Sequence, residues 1–156
     1  MSLPEEPGDA AGQRFRFRRT VEVRFRDLDA VGHAHHTLPL IYLEEARAAY
    51  WRDVAGRAGL REIDYVMAEV TVRFHRRIGW PARLDVGLRV SRMGVKSFEM
   101  EFEILDEEGV AVASGKTVQV FFDYAAGQSR PLPAELRSRV EAYESGAAEQ
   151  DGTARA

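Results

Sequence analysis

Cysteine and asparagine are both missing from this 156-residue chain, and lysine nearly so: Lys96 and Lys116 are the only two. Without cysteine there is no disulfide, no thiolate nucleophile and no Cys-based zinc site. That fits a reducing compartment, and a cytoplasmic location is expected. Long apolar runs are missing as well. Nothing approaches the ~20 residues of a membrane span, so no membrane partner is expected. The opening MSLPEEPGDAAGQ is acidic and lacks an apolar core, so it does not read as a signal peptide. An excess of positive charge is also absent. Lys and Arg number 22 against 25 Asp and Glu, for a net charge of -3. The aromatics follow strand patterns and do not alternate with basic residues in a base-binding platform, so no nucleic acid is expected. The preference for arginine over lysine is compatible with a GC-rich genome or a hot habitat.

What is present is ordinary for a globular domain: 45% hydrophobic and 30% charged residues. Residues 1–13 and 145–156 are small, polar and acidic, and read as disordered tails. One domain is expected over 14–144, with no internal repeat or linker.

Within that span the hydrophobic period changes. Phe15, Phe17, Val21, Val23 and Phe25 share one parity, as in a half-buried strand. A loop around Gly32 follows. A helix is expected from Thr37, with Thr37 as N-cap and Pro39 in the first turn. At 100° per residue Tyr42, Leu43, Ala46, Ala49, Tyr50 and Val54 gather on one arc, and Glu44, Glu45, Arg47 and Arg52 lie on the remainder. Then the period returns to two, through Val66 to Phe74, Leu84 to Val90, Phe98 to Ile104, and a last strand apolar on both parities. DEEG at 106–109 reads as a hairpin turn. A short helix opened by Pro133 closes the domain.

The expected fold is therefore α+β: an antiparallel five-stranded sheet, its later strands joined as hairpins, wrapped around one long central helix, with a short C-terminal helix. The second face of the sheet would lack cover, which makes self-association as a dimer or tetramer the expectation.

The chemistry concentrates in RDLDAVGHAHHTLPLIYLEEAR, residues 26–47. Asp29 stands three residues before Gly32 and eight before the expected N-cap. A carboxylate near a helix N-terminus lies beside free N–H groups that can hold a carbonyl oxygen or oxyanion. Such a carboxylate can act as nucleophile or general base. The alternative is that Asp27 and Asp29 merely shape turns. His33, His35 and His36 are close in sequence, and His75 is a fourth. No HExxH pair is present and a loop does not converge the three, so no metal and no cofactor are expected. A neutral histidine lining a pocket is the favoured reading.

DLDAVGHAHHTLPLIYLEEAR resembles the D-x-D-x-x-G-H-x-N-N-x-x-Y-x-x-Y-x-E-x-A-R type segment of hotdog-fold acyl-CoA thioesterases, the 4-hydroxybenzoyl-CoA thioesterase group. AEVTVRFHRRIGWPARLDVGLRVSRMGVKSFEMEFEIL resembles that family's three-strand run, and GKTVQVFFDYAAGQSRPLPAELRSRV its last strand and closing helix. The likeness spans about residues 15–143. It implies a hotdog fold and hydrolysis of an acyl-CoA or acyl-carrier thioester to acid and thiol. It implies Asp29 as the catalytic carboxylate, and the backbone N–H of His36, with Thr37, as the group polarising the thioester carbonyl. Gly32 makes the turn between them. It further implies contacts from KSF, Lys96 to Phe98 and so including Ser97, to the CoA arm, while Gly32, His33 and His35 are candidates for binding substrate. His35 and His36 stand where many relatives carry paired asparagines. Arg76, Arg77, Arg92 and Lys96, all near strand ends, suit CoA phosphates by their charge. Two other readings stay open. One is a non-catalytic module binding acyl thioesters. The other is a hotdog hydratase or dehydratase, from which this chain departs in lacking an Asn-Pro motif.

Overall fold

The computed structural model of the protein describes residues 14–59 and 62–146. The tails expected over 1–13 and 147–156 lie outside the described residues. Ser145 and Gly146, expected in the second tail, instead close a helix, their N–H groups donating to the Glu141 and Tyr143 carbonyls. In chain order the elements are β1 (Phe17–Glu22), a 3-10 turn (Phe25–Asp27), α1 (Leu38–Asp53), β2 (Tyr65–Phe74), β3 (Arg83–Met93), β4 (Ser97–Leu105), β5 (Ala111–Asp123), β6 (Gln128–Ser129) and α2 (Ala134–Glu144).

The class is α+β with an antiparallel sheet and two helices, as expected. Two details differ. The strands number six, because a two-residue β6 folds back on β5 and closes the turn at 124–127. The strand order is β1-β3-β4-β5-β2. Thus β3–β4 and β4–β5 are hairpins, but β2 and β3 are not. β2 crosses to pair with β5, and β3 pairs with β1. A bulge between Met67 and Glu69 shifts the parity of β2, so Met67 and Val70 share the face that alternation assigns to Val66 and Ala68.

Helix α1 buries its expected arc, Tyr42, Leu43, Ala46, Ala49, Tyr50 and Val54, against the sheet. It also buries Trp51 and Arg47, each 3% exposed. Trp51 stacks on Phe98 of β4, with centroids 5.1 Å apart. Arg47, expected off the apolar arc, lies inside, its guanidinium 5.9 Å from the Tyr65 ring centroid at the start of β2. Thr37 stands at the helix start but does not cap it. Its hydroxyl lies 2.9 Å from the His35 Nδ1.

The outer face of the sheet is not an uncovered apolar surface. Arg18 bridges Asp85 and Glu103, Arg89 binds Glu101, and Lys116 faces Glu99. The open apolar surface lies on the inner face, at the β2 edge. Met67, Val70 and Phe74 are 38%, 40% and 54% exposed there. Beside them a groove runs between α1 and β2, with Leu40, Leu43 and Arg47 on its helix side.

Gly115 of β5 lets β2 come close. A Cβ at this position would fall 1.9 Å from the Thr71 carbonyl oxygen. Gly115→Ala is therefore expected to destabilise the protein by about 1–3 kcal/mol, since backbone must yield to make room. Urea unfolding of wild type and variant at one protein concentration measures this.

Candidate active site

The loop before α1 is fixed at Asp27 and opened at Asp29. Asp27 is 8% exposed, and its Oδ2 accepts the Arg24 N–H and the Tyr42 hydroxyl, both at 2.8 Å. Its carbonyl accepts the His35 N–H at 3.0 Å. The 3-10 turn is thereby strapped to the first turns of α1. Two residues on, Asp29 begins a tight turn. Its carbonyl accepts the Gly32 N–H at 3.0 Å, and its N–H donates to the His33 carbonyl at 2.9 Å. Gly32 has φ +79°, a left-handed conformation that side chains disfavour. The Asp29 Oδ1 accepts the Val31 N–H at 2.9 Å and, more loosely, the His33 N–H at 3.4 Å. Ala34 then donates to the Ile78 carbonyl at 2.9 Å, which ties this loop to the segment following β2.

Between loop and segment lies a cleft of about 470 Å³. Asp29, His33 and His36 line one side, and Phe74, His75, Arg76, Arg77 and Ile78 the other. Five of the residues singled out in the sequence thus meet in one place: Asp29, His33, His36, Arg76 and Arg77. His75 joins them, with Nε2 2.8 Å from the Ser114 hydroxyl. Its place was signalled by FHRRI, the polar run where the β2 alternation breaks.

The remaining candidates are arranged differently. Gly32 shapes the turn without lining the cleft. His35 leans its ring on His36, with centroids 4.0 Å apart. The Thr37 N–H is directed at the His35 Nδ1, 3.4 Å away, whereas the His36 N–H has no acceptor among the described residues. Arg92, Lys96 and Ser97 stand at the opposite end of the sheet. The Lys96 ammonium reaches the Ser129 hydroxyl, and Arg92 borders a groove against α2. One chain alone does not bring these three to the Asp29 cleft. Among the described residues, no group of three or more His, Asp or Glu side chains is placed to hold a metal ion.

With this geometry in hand, the chain can be set beside known proteins. The sequence profile of the thioesterase-like superfamily matches residues 23–140, which include the Asp29 loop, α1 and the five strands from β2 on. The chain belongs to the thioesterase-like superfamily. The chemistry that goes with membership is thioester hydrolysis. A thioesterase from Thermus thermophilus, solved with coenzyme A and zinc, is 34% identical over 81% of this chain and 98% of its own, with a TM-score of 0.74. A 1,4-dihydroxy-2-naphthoyl-CoA thioesterase from Synechocystis shares the fold at 21% identity, covering 80% and 94% of the two chains at a TM-score of 0.70. No curated protein matches in sequence. No helix among the described residues of this thioesterase family member is long and apolar enough to cross a membrane.

The phenols around α1 carry a pH signature. Burial raises the pKa of Tyr42, and its bond to the Asp27 carboxylate raises it further. Burial, then Glu144, does the same to Tyr50, and burial raises Tyr65 against the opposing Arg47. Below the ordinary phenol value of 10.0, folded and unfolded chains are both protonated, and these groups add no pH dependence. Above it the unfolded chain loses protons that the folded chain keeps, so stability falls as pH rises. Denaturation midpoints are expected to decline steeply above about pH 10, and less steeply in Tyr42→Phe. Thermal scans from pH 8 to 11 would reveal the slope.

Proposed function

We propose that this thioesterase hydrolyses an acyl-CoA, with Asp29 as the catalytic carboxylate and the His36 N–H as the oxyanion donor. The observation that carries the reading is the placement of a half-buried Asp29 in a cleft it shares with His36 at the start of α1. The Val31 and His33 N–H groups hold one carboxylate oxygen. The helix N-terminus adds positive potential where the thioester oxygen gains charge. Coenzyme A as the thiol is supported by the Thermus relative, solved with that molecule. Two routes fit the arrangement. Asp29 attacks the thioester carbon, expels the thiolate and leaves an anhydride for water to cleave, or Asp29 takes a proton from the attacking water. In both, the His36 N–H binds the oxygen as it becomes an oxyanion. Single turnover in 18O-water tests the first route, because water attacking the Asp29 carboxyl carbon of the anhydride leaves solvent oxygen in Asp29, which the second route never does.

The hotdog architecture, with its sheet wrapped around α1, is our reading of the strand order. Self-association as a dimer, and beyond it a tetramer, belongs to the same proposal. β2 is an edge strand paired only with β5, and its exposed Met67, Val70 and Phe74 call for cover. Antiparallel pairing of two β2 strands would bury them. It would also set the Tyr65 end of the partner strand beside Phe74. Lys96 lies toward that Tyr65 end, its carbonyl accepting the Phe121 N–H where Phe121 pairs with Tyr65. The pairing therefore turns the partner's Lys96–Ser97 end toward the cleft of this chain.

Asp29→Asn keeps the shape of the side chain and removes both abilities. It is expected to lower kcat by about 10²- to 10⁴-fold on an acyl-CoA read out by thiol release. Asp27→Asn should affect stability far more than kcat, since Asp27 contacts Tyr42 and backbone. A folded Asp29→Asn enzyme retaining more than about a tenth of wild-type kcat would sink the assignment. The association is checked by sedimentation. A species at least twice 17.6 kDa is expected, with Val70→Asp shifting it toward the monomer; a wild-type monomer would refute the interface.

A further inference from the structure

Phe25 and Trp80 meet edge to face at the surface, with ring centroids 5.5 Å apart. They are 73% and 48% exposed. A solvent-facing pair of large rings has given up little water, so its packing gain is small and it is available to a further ring. Its position ties it to the cleft. Phe25 opens the 3-10 turn that leads into Asp29, and Trp80 follows two residues after Ile78 on the cleft wall. Backbone bonds from Val23 to Ala82 and from Ala34 to Ile78 bracket the pair and hold its two strands of chain together.

Many surface arginines are ion-paired, among them Arg24 with Glu45 and Arg83 with Glu22, which flank the ring pair in sequence. Arg14, Arg18, Arg89, Arg137 and Arg139 each have a carboxylate within 4 Å. Arg26, beside Phe25, and Arg76 and Arg77, on the cleft wall below Trp80, are exposed and have no carboxylate partner among the described residues. The open face of an exposed ring in the same stretch of chain as unpaired guanidinium groups matches one kind of ligand, a nucleobase carrying phosphates.

We propose that Phe25 and Trp80 form a stacking platform for the adenine of coenzyme A, with Arg26, Arg76 and Arg77 meeting its phosphates. This rests on the acyl-CoA reading above and deepens it. A carrier protein presents its acyl group on a phosphopantetheine attached to serine and offers no base to stack. The platform thus makes the coenzyme A thioester the substrate, rather than the carrier-bound one.

The test uses the full chain and adenosine 3′,5′-bisphosphate, which has the base and phosphates but no thioester. Of the two tryptophans, Trp51 is buried against Phe98, so surface quenching reports on Trp80. Saturable quenching is expected in wild type, loss of it in Trp80→Ala, and its partial return in Trp80→Phe, read by competition with a fluorescent nucleotide. In Trp80→Ala the ratio of KM for an acyl-CoA to KM for the matching acyl-pantetheine should rise roughly ten-fold. Absence of quenching in folded wild type overturns the platform, as does an unchanged KM ratio. Dissociation of the oligomer by Trp80→Ala overturns it too, by showing that the rings contact a second copy. If the bisphosphate binds and no thioester is hydrolysed, the catalytic reading fails while the nucleotide site stands. If thioesters are hydrolysed without bisphosphate binding, the reverse holds.

Discussion

The Asp27 carboxylate accepts the Arg24 N–H and the Tyr42 hydroxyl, while its carbonyl accepts the His35 N–H. These bonds join three pieces of chain that local propensity leaves independent: the end of β1, the Asp29 turn and the first turns of α1. A buried carboxylate without partners is costly, so the three must stay together for Asp27 to remain inside. Everything on the near side of the cleft depends on that. Asp29 is two residues from the anchor, and His36 follows directly after His35. The distance from carboxylate to helix start is set by this strap, and the far side is added by the single bond from Ala34 to Ile78.

Alternation made much of the fold readable. Leu84 to Val90 and Phe98 to Ile104 face the helix as their parity requires, and DEEG makes the β4–β5 turn. Pairing was not readable in the same way, because period two says which face a residue takes and nothing about its neighbour. β2 was therefore expected in a hairpin and pairs with β5 instead. Nor could alternation foresee the bulge after Met67, which brings Met67 onto the same face as Val70 and Phe74. Arg47 was misjudged for a related reason. Helical periodicity assigns a solvent side, but at Arg47 the Tyr65 ring of β2 packs over it.

At the site, spacing put Asp29 in a turn ahead of a helix start and the family resemblance pointed to His36; the structure places both at one cleft. The roles of the two aspartates became distinct only through Tyr42, fifteen residues on and across the packing interface. The basic residues divided along the same line. Arg76 and Arg77 follow β2 at one end of the sheet, whereas Arg92, Lys96 and Ser97 cluster at the other. Linear sequence sees the three arginines and Lys96 alike as charge at strand ends. Which end each occupies is a property of topology.

The contact between Gly115 and Thr71 also bears on the cleft. β2 can lie that close to β5 only where β5 presents no Cβ. A slip of two residues would set Ala113 or Thr117 against the same carbonyl, so the contact disfavours those alignments. Phe74, His75 and the two arginines beyond are the continuation of β2, and the observed alignment fixes how far they extend past the sheet. One absent methyl group between β5 and β2 thus acts as an index mark, measuring out the reach of the basic wall opposite Asp29.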